Sequence, residues 1–212
     1  MISFSVTTMI VAITVVVSFL AFNDKDLSYK LTLSPYSVKH HKRWWQVFTH
    51  GFIHADYMHL GLNMYVLYSF GGIVETVFVR CFGNIGYLYY ITLYVGGLLF
   101  ATLPSLKKHG DNPNYLAVGA SGAVSAIVFS SIILYPTGGM GILFIPIRIP
   151  SFIFGVLYLL AEHYMSKKGG TRIAHDAHIG GAFFGVIFTV LLDFQFLTNF
   201  IDMINGWFNT IF

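Results

Sequence analysis

Apolar residues run along this chain in long blocks separated by short polar stretches. Six blocks stand out: Ile2–Phe22, Tyr57–Val79, Ile85–Leu103, Leu116–Tyr135, Ile149–Met165 and His178–Phe194. A helix needs about 20 mostly apolar residues to cross a bilayer's hydrocarbon core, so each block predicts a spanning helix. The first has no basic start and no small-residue cleavage site before Asn23-Asp24, and it reads as an anchor helix rather than a cleaved leader. A long polar loop follows. It contains Pro35 and ends in Lys42-Arg43-Trp44-Trp45-Gln46-Val47-Phe48, and basic residues beside paired tryptophans favour the headgroup region. Past the sixth block, apolar residues at 196, 197, 200, 201, 204, 207, 208, 211 and 212 alternate with polar ones at 198, 199, 202, 205 and 209. That period predicts an amphipathic helix lying at the interface, with Trp207 as anchor. The chain thus divides into a helical domain over 1–195 and a tail over 196–212.

Composition strengthens this picture of an all-α polytopic membrane protein. Hydrophobic residues make up 56% of the chain and charged residues 10%, against about 25% charged in a soluble domain. The formal net charge of +3 and the lack of a long basic run argue against nucleic-acid binding. Cys81 is the only cysteine, which excludes an intrachain disulfide and a cysteine-based metal site. Charge is asymmetric along the chain. Counted from the start, odd-numbered connections hold Lys25, Lys30, Lys39, Lys42, Arg43, Lys107, Lys108, Lys167, Lys168 and Arg172, whereas the termini and even-numbered connections hold only Arg80 and Arg148. By the positive-inside rule the odd side is cytoplasmic.

Polar residues inside apolar blocks carry the chemistry, because ionisable groups at membrane depth are costly. His59 and Asn63 are four apart and share a face of the second helix. His178, Gly181 and Gly185 share a face of the sixth, and Gly181-Ala-Phe-Phe-Gly185 is a GxxxG suited to close helix contact. The small-residue stretch Ala117-Val118-Gly119-Ala120-Ser121-Gly122-Ala123-Val124-Ser125-Ala126 is its natural partner, a contact that would bring His178 towards Ser121. Three readings compete. The first is a serine nucleophile with a histidine base; Asp176 points roughly the opposite way from His178 on an ideal helix, so a dyad without an acid is the simpler form. His59 and Asn63 could then donate to a developing oxyanion. The second is a metal site drawn from His50, His54, His59, His175 and His178, although the HExxH spacing is absent. The third is structural, with small residues for packing and polar ones as interhelical hydrogen-bond partners.

Taken together these residues resemble the rhomboid family of intramembrane serine proteases. Gly119-Ala120-Ser121-Gly122 is similar to its GxSG, His59-Leu-Gly-Leu-Asn63 to its HxxxN, and Ala177-His178 followed by Gly181-Ala-Phe-Phe-Gly185 to its AH with GxxxG. Gly71-Gly72-Ile73-Val74-Glu75 is a weaker match to a segment ending in glutamate. The resemblance implies a six-transmembrane-helix bundle with a short fourth helix starting inside the membrane. It implies Ser121 as nucleophile and His178 as general base, with His59, Asn63 and the Ser121 backbone at the oxyanion. Gly119 and Gly122 would clear space around the serine. Substrates would be transmembrane segments of other membrane proteins, cleaved where the helix unwinds, with no cofactor and no metal. A non-cleaving rhomboid-like binder of membrane proteins is the alternative, and the intact Ser121/His178 pair argues against it. Two positions depart from the family pattern: Gln46 stands where Trp-Arg usually continues, and Ser125 where many bacterial members carry a tyrosine stacked on the histidine. The family's usual placement, a bacterial inner membrane with active-site loops outward, runs against the charge count. We follow the family. No oligomeric state is specified.

Overall fold

The computed structural model describes residues 5–141, 148–168 and 174–211. Ile2–Phe4 of the first apolar block, Arg172 of the charge count and Phe212 of the tail lie outside them.

Each apolar block folds as a helix. These are α1 (Val6–Asn23), α5 (Tyr57–Phe82), α6 (Ile85–His109), α7 (Ser121–Leu134), α8 (Ser151–Lys168) and α9 (His175–Leu192). The long first loop supplies α2 (Lys25–Leu31), α3 (Pro35–His41), the single turn α4 (Gln46–Thr49) and a tighter turn over His50–Phe52; α10 (Gln195–Ile211) forms the tail. Two short antiparallel strands, β1 (Gly139–Gly141) and β2 (Arg148–Pro150), pair between α7 and α8 with Met140 opposite Ile149.

Among the described residues four helices, α1, α5, α6 and α9, are long and apolar enough to cross a bilayer. Large apolar residues face outward on α1, α6 and α9: Val16, Ile91, Ile187 and Leu191 are all exposed, the last at 80%. Such surfaces are stable against lipid tails and ruinous in water. The chain is therefore an all-α, multi-pass membrane protein. The fourth block differs from expectation. Its helix has 14 residues, about 21 Å at 1.5 Å per residue, and begins at Ser121 rather than Leu116. The preceding backbone is pulled extended by a bridge between Leu33 and Ala117, then turned by Gly119 at φ 114°, a value open chiefly to glycine. α8 also departs from a plain span, since Glu162, Lys167 and Lys168 interrupt its apolar character.

α7 is the axis of the molecule. Every residue from Gly122 to Ile133 is buried, and α5, α6, α8, α9 and α10 all pack on it. The remaining core, including Leu67, Phe78, Tyr90, Leu93 and Leu98, fills the space between α5 and α6. The loops at the Ser121 end are fastened to one another. Lys39 and His40 both pair with Asp111, at 2.6 and 2.9 Å, and Lys108 lies 3.6 Å from Asp176. At the opposite end, Glu75 of α5 caps the start of α1. It accepts from the backbone N–H groups of Val6 and Thr7 at 2.8 and 2.9 Å, and from the hydroxyls of Ser5 and Thr7 at 3.1 and 2.6 Å. The tail helix is anchored by Phe196, stacked on Phe78 at 6.4 Å, and by Trp207 edge-on to Phe152 at 5.5 Å.

Candidate active site

Ser121 is the first residue of α7, where backbone N–H groups have no acceptor within the helix and the helix dipole is positive. Its hydroxyl lies 2.7 Å from His178 Nε2. Both side chains are half-buried, within reach of a substrate yet largely out of solvent. The approach depends on absent side chains. A Cβ on Gly181 would run into the Gly122 carbonyl, and one on Gly185 into that of Ala126. Close packing of α9 on α7 thus delivers His178 to Ser121, the contact expected from the two small-residue faces. Gly122 in turn makes room for Ala101 of α6.

His178 has a second partner that sequence reasoning missed. Its Nδ1 lies 3.0 Å from Glu162 Oε1, and the other carboxylate oxygen lies 2.6 Å from His175 Nδ1. The carboxylate comes from α8, sixteen residues before His178, so no local spacing pairs them. One signal was available: Glu162 is the only carboxylate inside the fifth apolar block, and an ionisable group at that depth warrants a partner. Asp176 does turn away as expected. Its carboxylate takes a hydrogen bond from Ser166 and faces Lys108. Where the sequence suggested a serine–histidine pair without an acid, the side chains line up as Ser121–His178–Glu162–His175.

His59 stands against the backbone just ahead of Ser121: a Cβ on Gly119 would sit 2.7 Å from His59 Cε1 and 3.0 Å from Nε2. Asn63 is buried one turn further along α5, and its amide donates to the His59 carbonyl at 2.8 Å. Two other histidines hold the same backbone from the loop side. The His50 carbonyl accepts from the Gly119 N–H at 3.0 Å. His54 Nε2 accepts from the Ala120 N–H at 3.3 Å, while its Nδ1 faces Ser18 Oγ at 3.0 Å. Since Ser18 donates to the Phe52 carbonyl, it accepts from His54, which fixes the neutral tautomer. Burial pushes His50 down to about 4. Burial first, and then neighbouring His59, push His54 down to about 3.

The five histidines of the metal reading thus separate. His50, His54 and His59 secure the Gly119–Ala120 backbone, and His175 and His178 flank Glu162. Glu162, His175 and His178 offer ligand atoms within 4.8 Å of one another, a spread compatible with a divalent cation. In this structure each of those nitrogens faces a carboxylate oxygen.

The rhomboid domain model matches residues 41–193, most of the chain and all of this site. The chain belongs to the rhomboid family. It is 30% identical to the mitochondrial RHOMBOID-like protein 12 of Arabidopsis thaliana over 149 residues, covering 63% of this chain and 42% of that protein. It is 29% identical to the chloroplastic Rhomboid-like protein 11 of the same plant, over 70% of this chain and 52% of the relative. The mitochondrial presenilin-associated rhomboid-like protein of Homo sapiens is 26% identical, over 64% and 34% respectively. The chain spans between a third and about half the length of these relatives. Their names place them in mitochondria and chloroplasts, so they lend nothing to the bacterial inner membrane expected from the sequence. What stands is a multi-pass integral membrane protein.

Within this rhomboid chain the two departures from the family pattern have local explanations. Gln46 is buried and laces the first loop together, accepting from the Ser34 N–H at 3.2 Å and donating to the Lys30 carbonyl at 3.4 Å. Ser125 lies 3.0 Å from the Tyr158 hydroxyl, so an aromatic from α8 occupies the neighbourhood that a tyrosine on α7 would fill. The ring beside His178 is that of His175, edge to face at 6.3 Å.

Proposed function

We propose that this protein is an intramembrane serine endopeptidase that cleaves transmembrane segments of other membrane proteins. The 2.7 Å contact between Ser121 Oγ and His178 Nε2 carries the reading. Serine is a weak nucleophile until a base takes its proton. In the proposed reaction Oγ attacks the scissile carbonyl carbon as its proton passes to His178 Nε2. The carbonyl oxygen becomes an oxyanion near the start of α7, where the Ser121 N–H, His59 and the amide of Asn63 can donate. The C–N bond then breaks, and His178 returns the proton to the leaving amine. Water, deprotonated by the same imidazole, hydrolyses the acyl-enzyme. No cofactor enters these steps. The scissile carbonyl must first leave its helical hydrogen bond, which favours substrates with small or helix-weak residues there. We further propose that α7 and α8 complete a six-segment bundle, that α10 lies along the interface, and that the Ser121 end faces away from the cytoplasm.

Purified protein in detergent, incubated with a model transmembrane substrate, tests the reading. Wild type should cleave it and bind a serine-reactive phosphonate at Ser121; Ser121→Ala and His178→Ala should do neither while remaining folded. Cleavage by Ser121→Ala would refute a serine mechanism. A folded wild type that binds transmembrane segments without ever cutting them would support the alternative, a rhomboid-like binder.

A further inference from the structure

We propose that Glu162 is the positioning residue for the general base, held in register by His175; this rests on the Ser121–His178 reading above. Glu162 and His175 are both buried. A carboxylate in such surroundings is costly unless its oxygens are hydrogen-bonded. Here each oxygen takes one imidazole: Oε1 faces His178 at 3.0 Å and Oε2 faces His175 at 2.6 Å.

The arrangement selects a tautomer. A carboxylate only accepts, so His178 must carry its proton on Nδ1. Nε2 is then left with a lone pair aimed at the Ser121 hydroxyl 2.7 Å away, the form that can take a proton. When it does, the new imidazolium already lies against a negative charge. His175 prevents the carboxylate from swinging off, because its second oxygen is occupied. An amide in place of the carboxylate has one acceptor for two N–H donors, so one imidazole must lose its partner or change tautomer. The rival account is that Glu162 merely fastens α8 to α9. The two differ in what they predict: a fastener affects stability and substrate binding, whereas a positioning residue affects turnover at constant binding.

The full chain in detergent is assayed for kcat and KM on a transmembrane substrate, with thermal stability measured in parallel. Glu162→Ala and Glu162→Gln should lower kcat by about 10²–10⁴, the upper end matching the roughly 10⁴-fold loss seen when the acid of a serine triad is changed, with KM within about twofold. Phosphonate labelling of Ser121 should slow alongside kcat. His175→Ala should cost less than either. For the wild type, ¹⁵N spectra of the imidazoles, with His178 assigned by its absence in His178→Ala, should show Nδ1 protonated and Nε2 bare at neutral pH. That measurement needs no variant of Glu162 to fold. Normal kcat in a folded Glu162 variant, a loss confined to KM or stability, the opposite tautomer, or activity abolished by chelators would each overturn the proposal. An active Ser121→Ala would instead bring down the serine reading beneath it.

Discussion

His54 holds the backbone that presents Ser121 through a ring nitrogen and His50 holds it through its carbonyl, and burial keeps both rings neutral. In the unfolded chain each takes a proton near pH 6.5; in the folded protein they resist until about pH 4 and about pH 3. Their contribution to stability is therefore complete above pH 6.5 and drains away as pH falls through the window below it. Protonated His54 also has no lone pair for the Ala120 N–H. Thermal unfolding in detergent should shift to lower temperature between pH 7 and 4.5, and His54→Gln should show a shallower drop than wild type. Equal slopes would remove His54 from the account. Asn63 makes a second residue-scale prediction. An amide carries two N–H bonds and one goes to the His59 carbonyl, leaving the other for an oxyanion. Loss of a dedicated oxyanion donor costs about 10²–10³ in turnover. With His59 and the Ser121 N–H as further donors, Asn63→Ala should cost no more than that, in kcat rather than KM. A change in KM alone would make Asn63 a packing residue. At this scale the sequence carried Ser121, His178, His59 and Asn63, because each sits in a local motif whose spacing is readable. Glu162 was hidden because its partners lie on another helix, and only the fold brings them together.

Helix contact is set by two glycines of α9. A side chain on Gly181 meets the Gly122 carbonyl, a backbone atom that cannot rotate out of the way. Gly181→Val should separate α9 from α7, destabilise the bundle by at least the roughly 1–3 kcal/mol typical of overpacking, and abolish activity by drawing His178 off Ser121. Gly61 offers the contrast. It lies in α5, and a Cβ there would meet nothing within 4 Å, so Gly61→Ala should be tolerated, gaining up to about 1 kcal/mol from helix propensity. If both substitutions left melting temperature and activity alike, the close contact would be discounted. The helices themselves were legible from apolar blocks, since burial in lipid leaves a strong compositional trace. Their ends were not. Apolar character begins at Leu116, but the helix waits until Ser121, because the intervening residues bridge to Leu33. α6 runs past Leu103 to His109 and takes Pro104 inside it; polar residues there continue a helix beyond the apolar stretch, which hydropathy does not register.

On the scale of the molecule, positive charge and the candidate site share an end. The long first loop holds Lys25, Lys30, Lys39, Lys42 and Arg43 and the last turn of α6 holds Lys107 and Lys108, while Cys81 sits near the far end of α5 and is exposed. The positive-inside rule would turn that basic end towards the cytoplasm; the orientation proposed above turns it outward. A membrane-impermeant thiol reagent applied to intact cells decides the matter. With a cysteine introduced by Asn114→Cys, an exposed position in the loop before α7, the proposal expects label there and none on Cys81. Label on Cys81 alone would reverse the orientation and vindicate the charge count.

The cap that Glu75 places on α1 also imposes a timetable. The donors it satisfies belong to residues 5–7, and the carboxylate lies 68–70 positions later in the chain. At about 5–20 residues per second, a ribosome needs roughly 3–14 s to travel that distance. Throughout that interval the first turn of α1 has been made and its permanent acceptor has not. Water or headgroups must serve in its place, so the beginning of the first helix has to linger at the membrane surface during synthesis. It can settle only when the following hydrophobic helix arrives with its glutamate, so the first turn of α1 is finished after the loop that follows it rather than before.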